Sequence, residues 1–96
     1  MSSGYVIAQF KVTNPENYKD YVSKVTEVVK KYGGEYIVRN GEYQVVEGED
    51  NFPRIVVIKF PSYEKALEWY HSDEYKPIKD IRLNNAKGSN IIVKGI

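Results

Sequence analysis

Cysteine is absent from the 96 residues of the sequence, and histidine is nearly absent, since His71 is the only one. Without cysteine the chain has no disulfide bond, no thiolate metal site and no cysteine nucleophile, so its stability rests on its core and on association. One histidine without a carboxylate cluster at ligand spacing does not make a metal site. We therefore expect the protein to bind no metal.

Long apolar runs and a charge excess are also missing. No stretch approaches the ~20 apolar residues of a membrane-spanning helix, and the first residues lack the basic and apolar regions of a secretion signal. The 14 basic and 13 acidic residues leave a net charge of +1, which does not indicate a nucleic-acid or membrane surface. We expect a cytoplasmic protein with neither of these partners.

The common catalytic and cofactor motifs are missing as well. The sequence has no phosphate-binding loop, no dinucleotide fingerprint and no arrangement of serine, histidine and aspartate typical of hydrolases. The pair Gly33-Gly34 has the position of a helix stop, with no further glycines at fingerprint spacing. We therefore expect no cofactor.

Aromatic residues, in contrast, are abundant, with nine tyrosines, three phenylalanines and one tryptophan. Tyrosine has a large apolar ring and a polar tip, so it suits half-buried positions, interfaces and pocket walls. Hydrophobic residues make up 42% of the chain and charged residues 28%, which at this length is typical of a single folded domain. Residues 1–96 are therefore predicted to form one domain.

The first part of the chain begins with a strand and a helix. Apolar residues at every second position predict a strand over residues 5–12. Asn14 and Pro15 are typical of the first residues of a helix. Apolar residues then recur at helical spacing until Gly33-Gly34, a pair that favours the left-handed end of a helix.

Asn40 and Gly41 separate two strand patterns, at residues 35–39 and 43–47. Asn-Gly is frequent in tight hairpin turns, so the two patterns could pair with each other. Alternatively, they form one long strand with a bulge at the glycine. We favour the bulged strand, because its first half has only five residues and residues 54–60 offer a better partner.

The second part of the chain contains a strand, two helical pieces and a last strand. Residues 54–60 are predicted as strand, and Ser62 caps the helix that follows. Pro77 lies in the first turn of a third helical piece, which Gly88 ends, and residues 90–94 form the last strand. The order β-α-β-β-α-β predicts an α+β fold of the ferredoxin-like kind, with a four-stranded antiparallel sheet and the helices on one face.

The predicted strands are apolar on both faces, although helices can cover only one face of the sheet. Ile55 and Val57 point to one face, while Val56 and Ile58 point to the other. Monomers seldom expose an apolar patch of this size. We therefore expect a homodimer, sheet against sheet, that forms an α/β barrel and buries about 2,000 Å² in total.

One segment is distinctive: residues 69–75 are Trp-Tyr-His-Ser-Asp-Glu-Tyr, and Arg82 follows them. With this segment and those at residues 5–8, 14–18, 33–34, 38–39, 46–48 and 57–62, the chain resembles a bacterial family, the domain-of-unknown-function family 1330 of the dimeric α/β-barrel superfamily. The resemblance implies a ferredoxin-like dimer with a pocket between sheet and helices. The superfamily includes cofactor-independent monooxygenases, haem-degrading enzymes and ligand-sensing modules, so the resemblance implies no single reaction.

Aromatic residues and an arginine surround the predicted break between the second and third helical pieces. An arginine beside aromatic rings can form a pocket for a small acidic or planar ligand, because its guanidinium group is a rigid pair of donors. The candidate ligand-binding residues are Tyr18, Arg39, Trp69, Tyr70, Tyr75 and Arg82. Two simpler interpretations stay open: the aromatic residues belong to the core, or Arg82 pairs with an acidic neighbour. The acidic candidates are Asp73, Glu74 and Asp80.

His71 is the weak candidate for catalysis, because histidine is the side chain that titrates near neutral pH without a shift. Its position beside Tyr70 is also typical of an exposed or capping residue. We expect foremost a homodimeric module that binds a small organic ligand, either an anion or an aromatic metabolite. The alternatives are a cofactor-independent monooxygenase or isomerase, with His71 or a tyrosine as proton carrier, and a purely structural dimer.

Overall fold

The computed structural model of the protein describes residues 2–96 and contains four strands and three helices. The elements in chain order are β1 (Gly4–Val12), α1 (Pro15–Lys31), β2 (Glu35–Arg39), β3 (Arg54–Phe60), α2 (Tyr63–Tyr70), α3 (Lys76–Asn85) and β4 (Ala86–Lys94). The strands form one antiparallel sheet in the order β2-β3-β1-β4. The ferredoxin-like prediction is confirmed, with α3 as an additional helix between α2 and β4. None of the helices within residues 2–96 combines the length and the apolar character needed to cross a membrane.

Helix α1 forms where the sequence predicts it, because both of its ends carry suitable residues. The Asn14 side chain accepts a hydrogen bond of 3.2 Å from the backbone N–H of Asn17, and Pro15 occupies the first turn. At the other end Gly33 has a φ of +82°, the left-handed conformation that ends helices. The apolar stripe of α1 is thereby held over the sheet, with Tyr18, Tyr21, Val25 and Val29 buried.

The predicted strand at residues 43–47 does not form, and the preferred bulged strand is wrong in this part. Strand β2 ends at Arg39, and the backbone of Asn40 takes a left-handed φ of 54° that turns the chain away from the sheet. The Asn40 N–H donates to the Ile55 carbonyl at 2.8 Å. Because β2 runs antiparallel to β3 and Arg39 already pairs with Val56, near the start of β3 at Arg54, residues 43–47 lie beyond the end of β3. They form neither the hairpin nor the long strand. The irregularity in β2 lies earlier, between Tyr36 and Val38.

Gly88 lies inside a strand and does not end a helix as predicted. Strand β4 begins at Ala86, directly after α3, so the last strand is four residues longer than the sequence pattern indicates. Gly88 has a φ of +153° and stands opposite Phe10 of β1, where a Cβ atom would overlap the Gln9 carbonyl oxygen. The glycine is needed because two backbones approach each other closely.

The two faces of the sheet differ in what covers them. The helices bury Val6, Ala8 and Phe10 of β1 together with Ile58 and Phe60 of β3. The opposite surface, called the open face here, carries apolar residues that no element of residues 2–96 covers; they include Ile7, Val38, Val57, Ile91 and Val93. Ile91 is 56% exposed and Val93 is 41% exposed. The strands are therefore apolar on both faces, as their sequences predict.

Substitution of Gly88 by alanine should destabilise the protein by about 1–3 kcal/mol, because the new Cβ atom forces β4 away from β1. Gly41→Ala is the matched control, since a Cβ atom at Gly41 meets nothing within 4 Å. We expect that control to change the free energy of unfolding by less than about 0.5 kcal/mol. Urea unfolding followed by circular dichroism measures both variants, and equal effects would contradict the close approach at Gly88.

Candidate functional site

The three arginines of the sequence meet at one end of the sheet, on its helix-covered face. Arg54 pairs with Phe10 across β3 and β1, and Arg39 pairs with Val56 across β2 and β3. Arg82 arrives from α3, and its guanidinium carbon lies 4.8 Å from the centre of the Phe10 ring. Three different elements thus bring one arginine each to the same region.

Arg82 is buried without an acidic partner. Its side chain is 5% exposed, and its Nε and Nη2 atoms have no hydrogen-bond partner among residues 2–96. None of the ion pairs formed within residues 2–96 includes an arginine. Of the acidic neighbours considered above, Glu74 instead pairs with Lys31 and accepts a 2.7 Å hydrogen bond from the Tyr32 hydroxyl group. A buried guanidinium without a counterion is costly, so an anion bound beside it would stabilise this position.

Tyrosines surround the arginines. The Tyr21 and Tyr75 hydroxyl groups form a buried hydrogen bond of 2.8 Å that joins α1 to the turn before α3. The guanidinium carbon of Arg54 lies 5.2 Å from the centre of the Tyr18 ring. That of Arg39 lies 4.1 Å from the centre of the ring of Tyr36. The aromatic rings hold the guanidinium groups of Arg54 and Arg39 by cation–π contact and leave N–H donors free for a ligand.

Two cavities adjoin these residues. The smaller one, called the arginine cavity here, has a volume of about 30 Å³ and lies between α1 and the sheet. Its polar and aromatic lining consists of Phe10, Tyr18, Tyr21, Tyr36, Arg39 and Arg54. The larger one, called the outer pocket here, has a volume of about 500 Å³ and opens beside the first turns of α1. Both cavities are lined by Tyr18, Val22 and Arg54, so these three side chains form the wall between them.

The tyrosines of the site are protonated at neutral pH. Burial raises the pKa of Tyr18, although the positive charges of Arg54 and Arg82 oppose the rise. Burial raises the pKa of Tyr75 in the same way, and the pKa of Tyr21 lies well above its ordinary value because of burial and the neighbouring Tyr75. The site therefore offers cations and neutral hydroxyl groups, and its lining contains no group ready to remove a proton at pH 7.

The residues predicted for the site fall into two groups. Tyr18 and Arg39 line the arginine cavity, and Arg82 and Tyr75 adjoin it through Phe10 and Tyr21. Trp69 and Tyr70 do not line either cavity. Trp69 is fully buried, with its ring centre 5.4 Å from that of Phe60 and 4.3 Å from that of Tyr75, which is a core position. Tyr70 is half-buried beside it, and the Lys79 ammonium group lies 4.6 Å from the centre of its ring.

His71 lies outside the arginine cluster. It is exposed at the end of α2 and borders a separate shallow cleft between α2 and β4. The cleft is lined by Leu67, Tyr70, His71, Asn90 and Ile92, none of which lines the arginine cavity. Within residues 2–96 no three histidine or acidic side chains are grouped as metal ligands would be.

Sequence reasoning missed four residues of the site: Phe10, Tyr21, Tyr36 and Arg54. The sequence could have indicated Arg54, because the alternation of β3 places it on the same face as Val56 and Ile58, where a cation is unusual. The sequence could also have indicated Tyr21, since it follows Tyr18 by three residues on the apolar stripe of α1. Tyr36 and Phe10 look like ordinary strand residues, and only the pairing of the strands shows that they meet an arginine.

The sequence matches one family over nearly its full length. The family described as "Domain of unknown function (DUF1330)" matches residues 3–96. No curated protein matches this chain in sequence.

Solved structures with the same fold include proteins named as oxygenases. A protein of unknown function from Rhodopseudomonas palustris superposes with a TM-score of 0.79 and is 14% identical, covering 99% of this chain and 83% of that one. SnoaB, a cofactor-independent oxygenase from Streptomyces nogalater, has a TM-score of 0.67 and 8% identity, covering 97% and 92% of the two chains. A putative antibiotic biosynthesis monooxygenase from Nitrosomonas europaea has a TM-score of 0.57 and 15% identity, covering 100% and 99%. At these identities the likeness shows the fold alone.

Replacing both tyrosines of the buried pair should make stability less sensitive to alkaline pH. A tyrosine whose pKa is raised by folding contributes stability below its unfolded pKa of about 10, and this contribution is lost as pH rises through the folded pKa. We expect the Tyr21→Phe/Tyr75→Phe variant to lose less stability than the wild type above pH 10, by up to about 1.4 kcal/mol per pH unit for each tyrosine. Urea titrations at several pH values between 8 and 11.5 measure this, and parallel curves would contradict it.

Proposed function

We propose that this chain, which belongs to the DUF1330 family, binds a small organic anion between α1 and the sheet. One observation carries the proposal: Arg39 and Arg54 line one cavity, Arg82 packs on Phe10 of its lining, and none of the three arginines has an acidic partner among residues 2–96. A bound anion would provide the counterion that Arg82 lacks. Hydrogen bonds between guanidinium and carboxylate groups are short, strong and frequently bidentate, which suits this role.

Binding fits the chemistry of the site better than catalysis does. Arginines and protonated tyrosines donate hydrogen bonds, whereas general-base catalysis requires a group that takes a proton at the working pH. His71, the weak catalytic candidate, is exposed and borders a different cleft.

A cofactor-independent oxygenase is the alternative, favoured by the structural likeness to SnoaB, a protein of that description. The two functions differ in what happens to a bound acid. Recovery of the acid unchanged after incubation in air, measured by mass spectrometry, supports binding. An oxidised product, with oxygen consumed in proportion, would refute a pure binding function and support the oxygenase.

Arg82→Met should strongly weaken anion binding without loss of the fold. Methionine keeps a long apolar side chain on Phe10 but removes the charge, so we expect benzoate and hexanoate to bind about 10- to 100-fold more weakly. In the absence of ligand the variant should be at least as stable as the wild type, because an unpaired buried charge has been removed. Isothermal titration calorimetry measures the affinity, and thermal unfolding measures the stability.

Lys87→Met is the matched control for the Arg82 variant, since it removes the same charge from an exposed position on β4. We expect it to bind both acids as the wild type does. Unchanged binding in Arg82→Met would refute the role of Arg82. A wild type that binds neither acid nor any other small carboxylate would favour a purely structural role.

We further propose that the protein acts as a homodimer whose two open faces pack together. The exposed apolar residues of the open face support this, because a second copy would remove Ile91 and Val93 from water. An interface of about 2,000 Å² is in the range of obligate dimers.

Light scattering at micromolar concentration should give about 22 kDa, twice the chain mass of 11.1 kDa. We expect Ile91→Lys, on the β4 side of the open face, to shift the protein to a monomer. Leu83→Lys is the control, because Leu83 is 55% exposed, almost the same as Ile91, but lies on α3 in the helix layer. A wild-type mass of 11 kDa, or equal behaviour of the two variants, would count against the dimer.

A further inference from the structure

We infer that the ligand is a monocarboxylate with an apolar tail, whose head enters the arginine cavity and whose tail lies in the outer pocket. This inference rests on the proposed binding of an organic anion and adds the class of the ligand. It follows from the sizes of the two cavities, from the residues on each side of their shared wall and from the graded exposure of the arginines.

The arginine cavity has room for one small charged group. Its volume of about 30 Å³ is sufficient for one or two groups of the size of a water molecule, which is about the size of a carboxylate. The guanidinium groups of Arg39 and Arg54 line it, and the hydroxyl-bearing residues Tyr18 and Tyr21 lie on the α1 side. A second carboxylate or a phosphate-bearing group has no further space there.

The outer pocket is suited to an apolar tail. Its volume of about 500 Å³ falls within the ordinary range of ligand sites, and Val12, Pro15 and Val22 contribute aliphatic surface to it. The charged groups of the lining are Arg54, at the wall to the arginine cavity, and Lys19, whose ammonium group pairs with Glu16 at 3.5 Å. The pocket therefore has no free cation away from the wall for a second anionic group.

The shared wall directs the head of the ligand inward. Arg54 is half-buried, and its Nε atom is buried without a hydrogen-bond partner among residues 2–96. Arg39 is exposed, Arg54 half-buried and Arg82 buried, so positive charge continues from the surface to the interior. A carboxylate that passes Arg54 from the outer pocket finds Arg54 and Arg39 in the lining of the arginine cavity, while its tail stays in the aliphatic outer pocket.

The test is a series of straight-chain acids, butanoate, hexanoate and octanoate, measured by titration calorimetry on the full-length protein. We expect the affinity to rise by up to about fourfold for each added methylene group, since each one buries apolar surface in the outer pocket. Octanamide has the same tail without the charge, and we expect it to bind at least tenfold more weakly than octanoate. Arg54→Met should lower the affinity for octanoate to the affinity for octanamide.

Val12→Thr tests the tail, because it keeps the shape of a residue that lines only the outer pocket but makes it polar. We expect it to weaken the binding of octanoate severalfold and the binding of butanoate least. Val28→Thr is the matched control, since Val28 is equally half-buried but lines neither cavity, and it should leave the series unchanged.

The outcomes separate this inference from the proposed function. Equal affinities along the series, or tighter binding of succinate than of hexanoate, would overturn the tailed monocarboxylate and leave anion binding intact, provided that Arg82→Met still weakens binding at least about tenfold. Octanoate binding that is unchanged in Arg54→Met but strongly weakened in Arg82→Met would also overturn the placement of the head. Octanoate binding that survives both substitutions would overturn the inference and the proposed function together.

Discussion

The charge of Arg82 has to be accommodated inside the helix layer, and the neighbouring residues reflect this requirement. The guanidinium group packs on the ring of Phe10, while Tyr21 and Tyr75 join their hydroxyl groups next to it. Aromatic faces provide partial compensation for a desolvated cation, but they do not replace a counterion. The helix layer is consequently packed around a buried cation without a counterion among residues 2–96, and Phe10, which contacts this cation, also lines the arginine cavity.

The fold could be predicted in most of its parts because local signals agreed with one another. Asn14, Pro15 and Gly33 marked both ends of α1, and the alternation of β3 gave its seven residues correctly. The errors at residues 43–47 and at Gly88 have one physical cause, namely that strand pairing is not local. A strand pattern that runs beyond the end of its partner strand stays irregular, and a glycine that resembles a helix stop proves to be a point of backbone contact.

The site was less predictable than the fold, since its residues come together only through tertiary packing. Arg82 and Tyr75 were identified through a distinctive sequence segment, and the structure brings both close to the arginine cavity. The same segment drew attention to Trp69 and Tyr70, although one is core and the other borders a different cleft. Arg54, at the start of β3, was missed although the alternation of this strand places it on the buried face, and its register with Phe10 brings it to the site.

The distribution of the two kinds of cation has a chemical consequence. The sequence contains eleven lysines but only three arginines, and all three arginines belong to the site or adjoin it. Reagents that modify guanidinium groups, such as phenylglyoxal, would therefore label this region alone. Within it the reaction would follow exposure, so that Arg39 reacts before Arg54 and Arg82 reacts last. Protection of particular arginines from the reagent would thus report how far a ligand has entered the site.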